Sequence, residues 1–213
     1  MKINKLIIDS TYSETELCDL GAFYGTDKSP YNTDVNLHKH SYTAIYDFLF
    51  ASWKYIPLTL AEIGILKNKS MSCWRQYFPK AYLYGFEFFE SEIQNAKLDK
   101  LSDTEYHFMD IKSEHSINKS LKGAMRMYDI VIEDSTHVFE DQIRFINCIH
   151  KYMYPGAVLV VEDIFKNADE NLYIKELSHL TDEFHSVTFI EANHINNFSP
   201  GWDNDKLLVL FKK

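Results

Sequence analysis

The sequence predicts a doubly wound, Rossmann-like α/β fold with a seven-stranded sheet, mostly parallel and ending in an antiparallel C-terminal strand pair. Three observations carry this. Five short apolar runs (58–65, 81–88, 106–111, 128–132 and 157–161) alternate with stretches whose apolar residues return at helical spacing. Runs such as Val158-Leu159-Val160-Val161 are apolar at every position, as in strands covered by helices on both faces. Two last runs, 187–190 and 207–211, are joined by a polar loop without a helix-length insert, which predicts an antiparallel pair at one sheet edge. Alternating β/α units define the class, and its ligands bind beyond the carboxyl ends of the strands.

The elements follow in order. Residues 1–57 precede the first run and read as a helical cap or lid, with a helix over 41–53 (Ile45, Phe48, Leu49 and Ala51 apolar) and a polar loop over 24–40. Residues 58–213 read as one compact unit. The first run ends in Glu62-Ile63-Gly64-Ile65; Gly64 permits close approach, and a helix starting near Ser70 offers free N–H groups to an anion. The second ends at Glu87, twenty-three residues after Gly64, where an acid can accept hydrogen bonds from ribose hydroxyls. The third ends at Asp110, placed to face a base edge. The fourth ends in Glu133-Asp134-Ser135-Thr136-His137 and leads into a helix with Phe139, Ile143, Ile146, Ile149 and Met153 on one face. The fifth ends in Glu162-Asp163, before a helix marked by Tyr173, Leu177, Leu180 and Phe184.

If the fourth and fifth strands are neighbours, these ends lie about 5 Å apart. Four crowded carboxylates then need protons or a cation, and hard oxygen ligands without cysteine select magnesium, calcium or manganese. His137 stands at the mouth of the same crevice, suited to take a proton. A plainer reading makes Ser135 or Thr136 a helix cap and His137 an exposed first-turn residue. Phe198 and Trp202 sit in a loop expected to overhang the strand ends, where aromatic faces can stack on a sugar or simply anchor the loop. His38, His40 and His194 read as surface residues, with contact to an acceptor as the alternative.

Composition narrows the function classes. The chain has 213 residues, 46% hydrophobic and 25% charged, the balance of a globular protein. A formal net charge of −9 opposes non-specific nucleic-acid binding. The start holds no apolar signal core and no run approaches the ~20 apolar residues of a membrane span, so a cytoplasmic protein without a membrane partner is expected. Cys18, Cys73 and Cys148, odd in number and among apolar neighbours, read as free buried thiols.

Several stretches in this order resemble a family. Gly25-Thr26-Asp27-Lys28, the run from His40 to Tyr46, Glu62-Ile63-Gly64, and Trp74-Arg75-Gln76-Tyr77-Phe78-Pro79 followed by Tyr84-Gly85 are similar to the macrocin and mycinamicin type sugar O-methyltransferases. So are the stretch from Asp129 to His137, Pro155-Gly156 through Asp163, and Asn204-Asp205-Lys206-Leu207-Leu208; the likeness covers residues 20 to 213 and extends to cephalosporin-hydroxylase-like proteins. It implies a class I fold with S-adenosylmethionine as methyl donor, Mg2+ as acceptor-side cofactor, and a sugar or glycoside hydroxyl as acceptor. By the resemblance, Glu62, Gly64 and Ser70 border the donor, Glu87 holds its ribose, Asp110 its adenine amino group, and Tyr24, Thr26, Lys28 and Tyr42 close over it. Asp134, Glu162 and Asp163 hold the metal, Asp134 also touches the donor, and His137 is the general base. Asn68 and Lys69 replace glycines usual in the family, and a left-handed lysine costs roughly 1 kcal/mol. Two other readings stand beside it: a methyltransferase with a different small-molecule acceptor, and a non-catalytic nucleoside-binding protein. A homo-oligomer is compatible with either.

Overall fold

Eight strands form one sheet in the computed structural model, which describes residues 2–34 and 38–213. They are β1 (Lys2–Asp9), β2 (Thr59–Ile63), β3 (Tyr82–Glu87), β4 (Thr104–Phe108), β5 (Tyr128–Glu133), β6 (Met153–Ile164), β7 (Phe184–Asn193) and β8 (Lys206–Lys212). Their order is β1-β7-β8-β6-β5-β2-β3-β4, and every pairing is parallel except those of β8 with β6 and β7. The order reverses between β2 and β5, which places the ligand crevice there.

The expected seven strands become eight because β1 joins the edge, parallel to β7. The antiparallel pair β7–β8 is therefore internal. Residues 1–57 are more than a helical cap, since they also contribute this strand. It escapes notice in sequence because edge strands need no continuous apolar run: Lys2 and Lys5 interrupt it, and Ile3, Leu6 and Ile7 are exposed.

Among the described residues seven α-helices cover the faces: α1 (Glu16–Tyr24), α2 (Tyr42–Phe50), α3 (Lys69–Tyr77), α4 (Glu90–Leu98), α5 (Glu114–Ala124), α6 (Phe139–Ile149) and α7 (Glu170–Glu176). Strand side chains alternate between two cores. Leu60, Ile130, Ile132, Val158 and Val160 pack with Leu17, Tyr46, Met71 and Trp74 of α1–α3. Ala61, Val131, Leu159 and Val161 pack with Leu121, Phe145, Ile149 and Tyr173 of α5–α7. No described helix is long and apolar enough to cross a membrane. The three cysteines are free and buried.

Boundaries moved where burial continues past an element. β4 ends at Phe108 rather than 110 or 111, because Met109 and Ile111 are buried in the core from the connecting loop. Asp110 thus lies two residues beyond its strand. The run 173–184 is not one helix: α7 stops at Glu176, and Phe184 opens β7.

Candidate active site

A cavity of about 640 Å³ opens at the carboxyl ends of β2, β3, β5 and β6. Its floor includes Gly64, Glu87 and Asp134, and the segment before α2 covers it with Thr26, Asp27 and His40. Residues 35–37 of the expected 24–40 loop lie outside the described residues. Trp202 reaches the rim, stacked on Phe165 at 5.5 Å. Phe198 instead bridges backbone to backbone with Lys39.

At one end, Glu87 is oriented by the backbone. Its carboxylate accepts N–H bonds from Leu66 (3.0 Å), Phe88 (2.8 Å) and Phe89 (3.0 Å). Apolar Phe86, Met109 and Ile111 line the wall beside it, with Asp110 among them. Asp110 ties its own loop, accepting from the Lys112 N–H at 2.9 Å. Leu66 and Asn68 take the left-handed conformation (φ 39° and 61°), so the turn after β2 uses these two residues, while Lys69 begins α3 and bears no left-handed strain. The Lys69 ammonium donates to the Gly25 carbonyl at 3.0 Å, tying the covering segment to α3.

At the other end, Asp134, His137 and Asp163 converge: one ligand atom from each lies within 4.8 Å of the others. His137 Nε2 is 3.7 Å from Asp163 and Nδ1 is 4.0 Å from Asp134. That Nδ1 is buried without a hydrogen-bond partner. Two carboxylates converging at a cavity fit a hard divalent cation, and the imidazole beside them keeps one nitrogen without a hydrogen-bond partner. Backbone conformation aims them, since His137 (φ 56°) and Asp163 (φ 57°) are both left-handed. At Asp163 this breaks strand alternation, beside a register shift in the β6–β8 pairing.

Asp163 also accepts from the Tyr42 hydroxyl at 2.8 Å and faces His40 Nε2 at 3.7 Å. Burial alone would lower the His40 pKa. Asp163 and a 2.9 Å contact with Asp205 instead raise it to about 9, so His40 is charged at neutral pH. Burial raises the Asp134 carboxyl further than the Lys28 ammonium lowers it, and Asp163 adds to the rise.

The predicted residues thus divide. Thr26, Gly64, Ser70, Glu87, Asp110, Asp134, His137 and Asp163 line the cavity. Tyr24, Lys28, Tyr42, Glu62 and Glu162 do not. Tyr24 donates to Gln76 at 2.8 Å, Tyr42 supports Asp163, and Glu62 accepts from the Trp74 indole at 2.8 Å. Glu162 follows Val158 and Val160 onto the α1–α3 face, where Lys28 (2.7 Å) and the Tyr46 hydroxyl hold it. It stands outside the Asp134–His137–Asp163 group. His40 and His194, expected at the surface, are buried. Sequence reasoning missed Tyr46 and His40 as supports; the parity of β6 is the signal that points to the first.

No protein-family model matches the chain. It is similar to the 8-demethyl-8-alpha-L-rhamnosyl tetracenomycin-C 2'-O-methyltransferase of Streptomyces olivaceus, 27% identical over 135 residues, 59% of this chain and 33% of that protein. The mycinamicin VI 2''-O-methyltransferase of Micromonospora griseorubida is 24% identical over 136 residues, 59% of this chain and 32% of that one. The chain spans about a third of the length of these curated relatives. Among solved structures, the MycE methyltransferase of the mycinamycin biosynthetic pathway, in complex with Mg, SAH and mycinamycin VI, shares the fold at a TM-score of 0.68 and 16% identity, covering 94% of this chain and 55% of that one. The CurJ carbon methyltransferase follows at 0.54 and 14% identity, covering 80% and 52%.

Proposed function

We propose that the chain carries an S-adenosylmethionine-dependent O-methyltransferase activity toward a hydroxyl of a sugar or glycoside, with Mg2+ on the acceptor side. One observation carries the reading: a single cavity joins an amide-oriented acid, Glu87, to the Asp134–His137–Asp163 group. The named relatives are sugar O-methyltransferases, which supports the reaction class and the acceptor chemistry.

Glu87 accepts a hydrogen bond from the donor's ribose, since the three amides leave open one of the roughly four acceptor sites of its carboxylate. Phe86, Met109 and Ile111 offer the adenine an apolar slot, with Asp110 at its polar edge. Asp134 and Asp163 would hold the ion, which when bound lowers the pKa of the acceptor hydroxyl. His137 takes the hydroxyl proton, because imidazole is the side chain suited to proton transfer near neutrality. Trp202 and the covering segment narrow access of water, and much of the rate comes from fixing the oxygen in line with the methyl group.

Calorimetric titration with S-adenosylmethionine and its demethylated product, with and without MgCl2, tests this. Donor binding that strengthens acceptor-side Mg2+ uptake is expected; no donor binding at millimolar concentration overturns it. His137→Ala should lower turnover about 100- to 10,000-fold and leave donor affinity unchanged. Equal loss of both would make His137 structural instead.

A further inference from the structure

Beneath the cavity floor, Asp134 joins a charge cluster whose other members the proposed reaction does not use directly. Lys28 is 2% exposed. Its ammonium contacts one oxygen of Asp134 (Oδ2), Glu162 at 2.7 Å and Glu62 at 3.4 Å. Among the described residues it is the only lysine or arginine paired with any of the three. The other Asp134 oxygen, Oδ1, faces His137. Glu62 and Glu162 are themselves anchored, by the Trp74 indole and the Tyr46 hydroxyl. The backbone of Lys28 is anchored too: its carbonyl accepts the N–H groups of Tyr42 and Thr43, both at 3.1 Å, at the start of α2.

We propose that Lys28 is a positioning residue that grips Asp134 Oδ2 from below so that Oδ1 stays presented to a divalent cation shared with Asp163. This inference rests on the metal-assisted methyltransferase reading and adds a residue to it. A carboxylate at the end of β5 can swing about two side-chain torsions, and the ammonium removes that freedom on the side away from the cavity. The grip is rigid because the other two partners of the ammonium, Glu62 and Glu162, are held in turn. It also ties the covering segment to the strand ends, so the floor and the cover of the cavity share one fastening. Lys28 lies outside the cavity lining, so its effect must pass through Asp134 rather than through contact with donor or acceptor.

The test uses the full chain, with MnCl2 and MgCl2 titrated calorimetrically in the presence of S-adenosylmethionine. Lys28→Met alone leaves three carboxylates without their ammonium and should lower the unfolding midpoint by roughly 6–20 °C. The informative variant is Lys28→Met/Glu62→Gln, which removes one charge of each sign; Glu62→Gln alone is its control. The double variant should regain most of the lost thermal stability and bind S-adenosylmethionine as the wild type does, yet bind Mn2+ about 10- to 100-fold more weakly. The control should bind Mn2+ normally. Recovery of wild-type Mn2+ affinity in the double variant would show Lys28 to be a counter-ion only and overturn the proposal. So would loss of donor binding in parallel, which marks a general structural role. Wild-type protein that takes up donor but no divalent cation overturns the metal reading, and with it this one.

Discussion

Gly64 shows what a single residue contributes. Its φ is 87°, and a Cβ there would stand 2.0 Å from the carbonyl oxygen of Asp134. The close approach anticipated for a ligand is therefore made first by the neighbouring chain: the end of β5 passes over the turn after β2. Gly64→Ala should cost about 2–5 kcal/mol in urea unfolding, from left-handed strain plus overpacking. It should also weaken S-adenosylmethionine binding, because relief of the clash displaces Asp134. A variant with wild-type stability would show that the turn can relax without cost. His137 and Asp163 carry the same kind of strain, roughly 1–2 kcal/mol each, and both face the cavity. Strained side chains at a cavity mouth persist only where the surroundings over-determine them. The positions of Asp134, His137 and Asp163 could be read from strand ends in the sequence. The left-handed geometry of His137 and Asp163 could not, since the mild preference of histidine and aspartate for that region does not say which of many such residues adopts it.

At the scale of elements, alternation along β6 explains most of the site. Val158 and Val160 face α1–α3, and Glu162 continues their side, which buries it against Tyr46 and Lys28. Asp163 leaves the pattern through its backbone and reaches the cavity. Adjacent acids thus acquire different surroundings. β1 is a different case. It pairs along its whole length with β7 but buries little, so it shields an edge more than it builds a core. Removing residues 2–9 should lower the unfolding midpoint modestly and raise light scattering on heating, as the β7 edge becomes free to pair between molecules. Donor affinity should not change, because β1 is one edge of the sheet and β3 lies six strands away. Loss of donor binding on truncation would show that the edge strand orders the cavity as well.

For the whole molecule, long-range ion pairs join parts of the chain that the sequence keeps far apart. Glu170, at the start of α7, takes Lys206 of β8 at 3.0 Å and also pairs with Lys5 of β1. Burial alone would raise its pKa, but the two lysines bring it below the ordinary carboxylate value. A lowered folded-state pKa adds stability above the unfolded-state value and loses it as pH falls through the folded one. Wild type should therefore exceed Glu170→Gln by about 1–3 kcal/mol at pH 7, with the gap closing in the acid range; a pH-independent gap in thermal unfolding would refute the linkage. By itself the sequence determined the alternating α/β class, the antiparallel β7–β8 pair and the acids at the strand ends. These follow from short continuous apolar runs, from helical spacing between them and from positions adjacent in the chain. Only the tertiary structure decided that β1 caps the sheet, that Lys28 and Glu162 turn inward together, and that His40 is buried between Asp163 and Asp205. Each depends on contacts more than a hundred residues apart in sequence, where burial and charge pairing are set by packing rather than by neighbouring residues.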